Sequence, residues 1–130
     1  MKRLILFTLF FTLLVGCGSQ PPRPPFVDNG NPGQIKAVVF YDNNKNGVMD
    51  SSETGAPLWV AISQEVSCPP SGTPNFVETD VNGQSLFMDL KPGKYCVFVD
   101  NNSGMTTKMT QEVYVSSDQE LVVMFGIVRP

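Results

Sequence analysis

The densest run of metal-seeking oxygens in this 130-residue chain is Asp42 to Glu53, DNNKNGVMDSSE. Counted from Asp42, oxygen-bearing side chains stand at positions 1, 3, 5, 9 and 12: Asp42, Asn44, Asn46, Asp50 and Glu53. Gly47 stands at position 6, where a tight turn needs backbone freedom, and Val48 at position 7, where the backbone carbonyl is the usual ligand. This is the spacing of an EF-hand calcium loop. Ca²⁺ takes six to eight hard oxygens, and three carboxylates, two amides and one carbonyl supply them. Glu53 can bind through both oxygens and Asp50 through a water. Three anions in one short loop repel one another without a cation, and Lys45, at position 4, is expected to point outward. A polar, Asn/Asp-rich connection with no metal is the competing reading. The residues before position 1, VVFYD, read as a strand and not as the helix of an EF-hand, so the expectation is a calcium loop joining two strands.

Other chemistries are poorly supplied. The chain has no histidine, so a His-based triad, a His general base and a His-ligated zinc site are excluded. No paired carboxylates and no Cys or Ser nucleophile stand apart from the turn and metal motifs, and no enzymatic activity is expected. The formal charge is −3, from 9 basic and 12 acidic residues. With no basic run, such a surface does not attract nucleic acid.

The elements that must position the loop follow from the rest of the chain. Met1-Lys2-Arg3 and the apolar stretch Leu4 to Val15 read as a signal peptide, too short for a comfortable membrane span. The stretch ends in Leu14-Val15-Gly16-Cys17, which resembles a bacterial lipobox. That resemblance implies cleavage before Cys17 and a diacylglycerol on its thiol, which holds the protein to a membrane. No aspartate follows Cys17, so in a cell with two membranes the outer membrane is the expected site. Residues 1–16 are therefore the expected leader. Residues 17–33, rich in Pro and Gly, are the expected lipidated cysteine and tether, and 34–130 the folded domain.

Within that domain seven short runs read as strands: Ile35 to Tyr41, Leu58 to Ile62, Phe76 to Thr79, Ser85 to Met88, Tyr95 to Val99, Met109 to Val115 and Leu121 to Val128. Asn-Gly at 46–47 and 82–83, Pro-Gly at 92–93 and Asn-Asn-Ser-Gly at 101–104 mark turns between them. No breaker-free helical period is present. The expected fold is all-β, an Ig-like sandwich of about seven strands, with a small barrel as the rival. Cys68 and Cys96 remain once Cys17 is lipidated. In an oxidising compartment they either pair or stay as two separate thiols.

The string GQIKAVVFYDNNKNGVMDSSETG resembles the opening of the SdrD B-like domain of bacterial surface proteins. Val39, Phe40 and Asp42 match its strand end, and Asn44, Asn46, Gly47, Asp50, Glu53 and Gly55 match its loop. A second signature, TDVNGQSLFMDLKPGKYCVFV, matches at Thr79, Asp80, Asn82, Gly83, Phe87, Leu90, Pro92, Gly93, Tyr95 and Val97, and Phe125-Gly126 resembles the family's closing strand. The resemblance implies a Cna B-type, prealbumin-like β-sandwich that binds calcium in this loop and serves as a stalk or spacer. Ser85 departs from the pattern, which has tyrosine there, and the stretch Gly55 to Val60 is about one residue short. Related Cna B domains join a first-strand lysine to a last-strand asparagine. Lys36 and the acid Glu78 are present, but Leu121 to Val128 offers no Asn or Asp, so no such cross-link is expected.

The expected function is that of a non-enzymatic, calcium-stabilised lipoprotein module of the cell envelope, structural or adhesive. Its partners would be the membrane, through the N-terminal lipid, and an envelope protein or glycan. The alternative is a carbohydrate- or protein-binding module that uses exposed aromatics such as Trp59, Phe76 or Tyr114. Asp80 and Asn82 could form a second metal site, although turn chemistry alone accounts for them.

Overall fold

A computed structural model describes residues 25–65, 67–72, 74–100 and 104–130. The expected leader and the lipidation site, Cys17, lie outside the described residues. The described chain forms seven strands and no helix: β1 (Gly33–Tyr41), β2 (Trp59–Ser63), β3 (Val77–Glu78), β4 (Gln84–Leu90), β5 (Gly93–Val99), β6 (Thr110–Val115) and β7 (Glu120–Ile127). They build a three-stranded sheet, β4-β1-β7, packed on a four-stranded sheet, β3-β2-β5-β6. Each of the seven expected runs is a strand, and the architecture is the expected all-β sandwich.

Alternation explains the core. Ile35, Ala37 and Val39 of β1 point inward and meet Val60, Tyr95, Val97, Val99, Val115, Val123 and Phe125 from the other strands. β1 is the central strand of its sheet. Val38 and Phe40, on its opposite face, are also buried, whereas Gln34 and Lys36 on that face are only partly so; the uninterrupted VVF run marks the half of the strand buried on both sides. β1 runs antiparallel to β4 and parallel to β7, in register from Gln34–Glu120 to Tyr41–Ile127. The start of β1 and the end of β7 therefore lie at opposite poles, roughly 30 Å apart for a nine-residue strand. Lys36 sits laterally between Leu86 and Val122 in this sheet, whereas Glu78 belongs to the other.

A second, smaller apolar cluster covers the outer face of the four-stranded sheet. Ala61, Cys96 and Phe98 alternate with core residues and so face away from the main core, where Cys68 and Phe76 close over them. A Cys68–Cys96 disulfide, with Cα atoms 5.5 Å apart, draws the β2–β3 connection across this face. The Phe76 ring meets Phe98 edge-on, with centroids 5.5 Å apart.

The departure at Ser85 has a visible consequence. Ser85 pairs with Ala37, faces inward and is buried, yet its hydroxyl has no hydrogen-bond partner among the described residues. Leaving such a group unsatisfied costs roughly 1–3 kcal/mol. Ser85→Ala is therefore expected to raise stability by about 1 kcal/mol in a urea melt. A loss of stability would show that the hydroxyl is used.

At the pole where β1 begins, residues 25–32 of the expected tether lie against the domain. Val27 accepts from Ser117 N–H at 2.9 Å and donates its own N–H to Ser116 Oγ at 3.1 Å. Asn29 and Asn31 both donate side-chain N–H to Asp118 Oδ2 at 3.0 Å. Those two amides hold the Asp118 carboxyl below its usual range, against a smaller opposing effect of burial. Asp118 takes positive φ, +58°, the left-handed turn that Asp tolerates.

Candidate metal centre

The Asp42–Glu53 loop leaves the far pole, at the end of β1. The Asp42 N–H still donates to Ile127 O at 2.8 Å, so the first expected ligand is fixed to β7 before the chain turns. Its side chain is fully buried. Asp42 Oδ1 accepts the Asn46 N–H at 3.1 Å, and Oδ2 accepts the Gly47 N–H at 2.8 Å. The chain wraps around this carboxylate through two left-handed residues, Lys45 at φ +59° and Gly47 at +75°. Gly47 was expected in this role, whereas nothing in the side chain of Lys45 announces its backbone conformation. Lys45 is exposed, as expected.

The other oxygens gather in the same loop. Asn44 Oδ1 shares the Asn46 N–H with Asp42, at 3.0 Å, and Asn46 Oδ1 accepts the Val48 N–H at 2.8 Å. Asp50 Oδ2 accepts the side-chain amides of Asn44 at 2.6 Å and Asn46 at 3.1 Å. Glu53 is buried and closes the loop: Oε1 accepts the Asn43 N–H at 2.7 Å and Oε2 the Asp50 N–H at 3.0 Å. Val48 turns its side chain to solvent.

Among the described residues, no three acidic, histidine or cysteine side chains converge closely enough to hold an ion by themselves. A cation here would need also the amide oxygens of Asn44 and Asn46 and the Val48 carbonyl. A half-turn of either amide puts its oxygen where its nitrogen now meets Asp50. The donors are all hard oxygens, which suit Ca²⁺ and not a thiophilic metal.

The electrostatics favour the same conclusion. The sole ion pair among the described residues joins Lys94 to Glu112 at 2.7 Å, far from the loop, so Asp42, Asp50 and Glu53 have no protein cation as partner. Burial opposes ionisation of Asp42, but the nearby Thr106 hydroxyl and the N–H groups of Gly47, Asn46 and Lys45 outweigh it. They hold the carboxyl below its usual range. The Thr106 hydroxyl stands beside this residue, since one point over Gly126 touches both Thr106 Oγ1 and Asp42 Cβ, but among the described residues it completes no hydrogen bond. The residues thus fit a hard divalent ion.

The loop's exit shows why two distant signatures occur together. Tyr41 N–H donates to Thr54 O, Gly55 bridges Phe40, and Ala56 N–H donates to Val39 O at 3.0 Å. The Asn82-Gly83 turn then closes over Gly55. A Cβ on Gly55 would run into the Asn82 backbone, and one on Gly83 into the Val39 carbonyl. Asp80 caps this turn, its Oδ1 accepting the N–H groups of Asn82 at 2.8 Å and Gln84 at 2.9 Å, which is turn chemistry.

The aromatics named above do not share one platform. Trp59 is 48% exposed at the start of β2, level with the end of β5. Tyr114 is 55% exposed, level with Lys94 near the start of β5, and the disulfide-held segment lies between the two. Phe26 meets Tyr114 edge-on at 6.4 Å, and Phe76 packs on Phe98.

Comparison with known proteins agrees with this architecture. The sequence profile of the SdrD B-like domain matches residues 33–122. Serine-aspartate repeat-containing protein E of Staphylococcus aureus (strain MSSA476) is 33% identical over 82 residues, covering 63% of this chain and 7% of that protein. Colossin-B of Dictyostelium discoideum is 37% identical over 72 residues, covering 52% of this chain and 2% of its own length. The chain thus spans less than a tenth of the length of these curated relatives. Among solved structures, the minor pilin GBS52 of Streptococcus agalactiae aligns with a TM-score of 0.51 at 14% identity, covering 77% of this chain and 46% of that one, a likeness of fold alone. With its two signatures in contact and the profile matched over most of its length, the chain belongs to the SdrD B-like domain family.

Proposed function

We propose that this protein is a non-enzymatic, calcium-stabilised module of the cell surface, held to a membrane by a lipid on Cys17, with a structural or adhesive role. The observation that carries the calcium reading is the buried Asp42 carboxylate, encircled by a loop of net negative charge with no cation paired to it among the described residues. Asp42, Asn44, Asn46, the Val48 carbonyl, Asp50 and Glu53 would hold the ion. Bound there, Ca²⁺ would neutralise the three acids and tie the loop's two ends together. The ion belongs to the folded state, because the unfolded chain does not gather these oxygens, and so it adds to stability.

The structural role draws on the strand arrangement. β1 and β7 are parallel neighbours whose outer ends lie at opposite poles, so a load applied between the poles pulls the two strands past each other. The backbone pairs from Gln34–Glu120 to Tyr41–Ile127 then resist together, not one after another. The loop sits at the pole away from the N-terminal segment and fastens the end of β1. Calorimetric titration of the full chain with Ca²⁺ tests the metal reading: heat with one-site stoichiometry supports it, and its absence overturns it. For the anchor, Cys17→Ser should move the protein from the detergent phase to the aqueous phase of a Triton X-114 partition. An unchanged distribution would remove the lipid.

A further inference from the structure

The β5–β6 connection lies outside the twelve-residue motif yet packs against it. Met105 bridges Ile127, the Thr106 N–H donates to Gly126 O at 2.9 Å, and Thr107 Oγ1 accepts the Gly126 N–H at 3.1 Å. These contacts lay the connection along β7, beside Asp42, whose own N–H is held by Ile127. Gly126 makes the approach possible. A Cβ there would run into Thr106 Oγ1 and come within 3.1 Å of Phe40 Cζ and 3.2 Å of Asp42 Cβ. From the loop's side, a Cβ on Gly47 would stand 3.8 Å from Thr107 Cγ2 and 4.0 Å from Thr106 O. Positions 1 and 6 of the motif therefore both face this connection.

The Thr106 hydroxyl is buried and, among the described residues, has no hydrogen-bond partner. Buried polar atoms in folded proteins are nearly always partnered, and an exception calls for an explanation. A hydroxyl rotates freely and can donate to a carboxylate beside it. We propose that Thr106 is a positioning residue for the loop's calcium, its hydroxyl donating to the Asp42 carboxylate when the ion loads. This inference rests on the calcium reading above. Filling the site requires Asp42 to aim an oxygen at the ion while two other acids crowd it. A donor from a separate part of the chain holds the carboxylate in that orientation and couples the loop to β7.

The test is calcium titration of the full chain as wild type, Thr106→Val and Thr106→Ser, with thermal melts of each in calcium and in chelator. Thr106→Val keeps the shape and removes the donor. It is expected to bind Ca²⁺ about 10-fold more weakly, at the low end of what loss of a ligand-orienting partner brings. Its melting temperature should fall less in chelator than in calcium, because the metal-free hydroxyl completes no hydrogen bond among the described residues. Thr106→Ser should restore wild-type affinity. Equal affinity for Thr106→Val and wild type would overturn the proposal alone. So would a Thr106→Val chain that fails to fold or loses as much melting temperature in chelator as in calcium, since the role would then be purely structural. Wild type that takes up no calcium would overturn the calcium reading and this one together.

Discussion

Chelation of calcium is expected to lower the melting temperature of this protein by on the order of 10 °C or more. A ligand present at a hundred times its Kd adds about 2.7 kcal/mol to the folded state. In a domain of this size each kcal/mol moves the melting point by about 4–8 °C. The loop has the features that make the coupling strong. Its first expected ligand is buried and fixed to β7, its last closes back on Asn43 and Asp50, and its acids have no cation as partner among the described residues. Asp42→Asn keeps the side-chain shape and removes the charge, so its melting temperature should be the same with calcium as with chelator. Glu53→Ala should behave likewise and should also destabilise the metal-free chain, because the Asn43 and Asp50 N–H groups lose their acceptor. Wild-type melts that superimpose in calcium and in chelator would end the calcium reading.

The second large effect belongs to the disulfide. Removing the Cys68–Cys96 bridge, by reduction or by the double substitution Cys68→Ala/Cys96→Ala, is expected to cost about 3–4 kcal/mol. That is the loop-entropy figure for a separation of 28 residues. The loss has a specific location. Cys96 is buried in the small cluster on the outer face of the four-stranded sheet, and the bridge holds Cys68 and Phe76 over it. Without it, that face should gain solvent access, and amide exchange should rise along residues 67–78 well before it rises in β1 or β7. Reduction that leaves both the melting temperature and the exchange pattern unchanged would show that the segment is held by packing alone. The calcium and disulfide effects should be nearly additive, since the loop lies at the end of β1 and the bridge on the outer face of the opposite sheet.

Local pattern was enough for the strands. Alternation in Tyr95, Val97 and Val99 placed all three on one face, and all three are in the core. Turn chemistry at Asn82-Gly83 and the oxygen spacing from Asp42 to Glu53 were equally plain, because each is written in neighbouring residues. Cys68 and Cys96 left two states open, since the approach of two cysteines depends on how the connection between strands folds across a sheet. Phe40 gave no sign of where its ring goes: it lies against Gly126, its cross-strand partner, where any side chain would crowd it. The segment expected as tether was read from its prolines and glycines. Its contacts with Ser116, Ser117 and Asp118 join residues almost ninety positions apart.

By itself, then, the amino-acid order determined which stretches are extended, which faces are apolar and which loop carries hard oxygens. These properties arise from backbone preferences and side-chain chemistry over a few residues. Only the tertiary structure decided that β1 and β7 run parallel with their outer ends at opposite poles, that Gly55 and Gly83 press backbone to backbone, and that Thr106 faces Asp42. Such contacts depend on how two sheets close on each other. That closure is set by the summed burial of the whole core, which no short stretch of sequence contains.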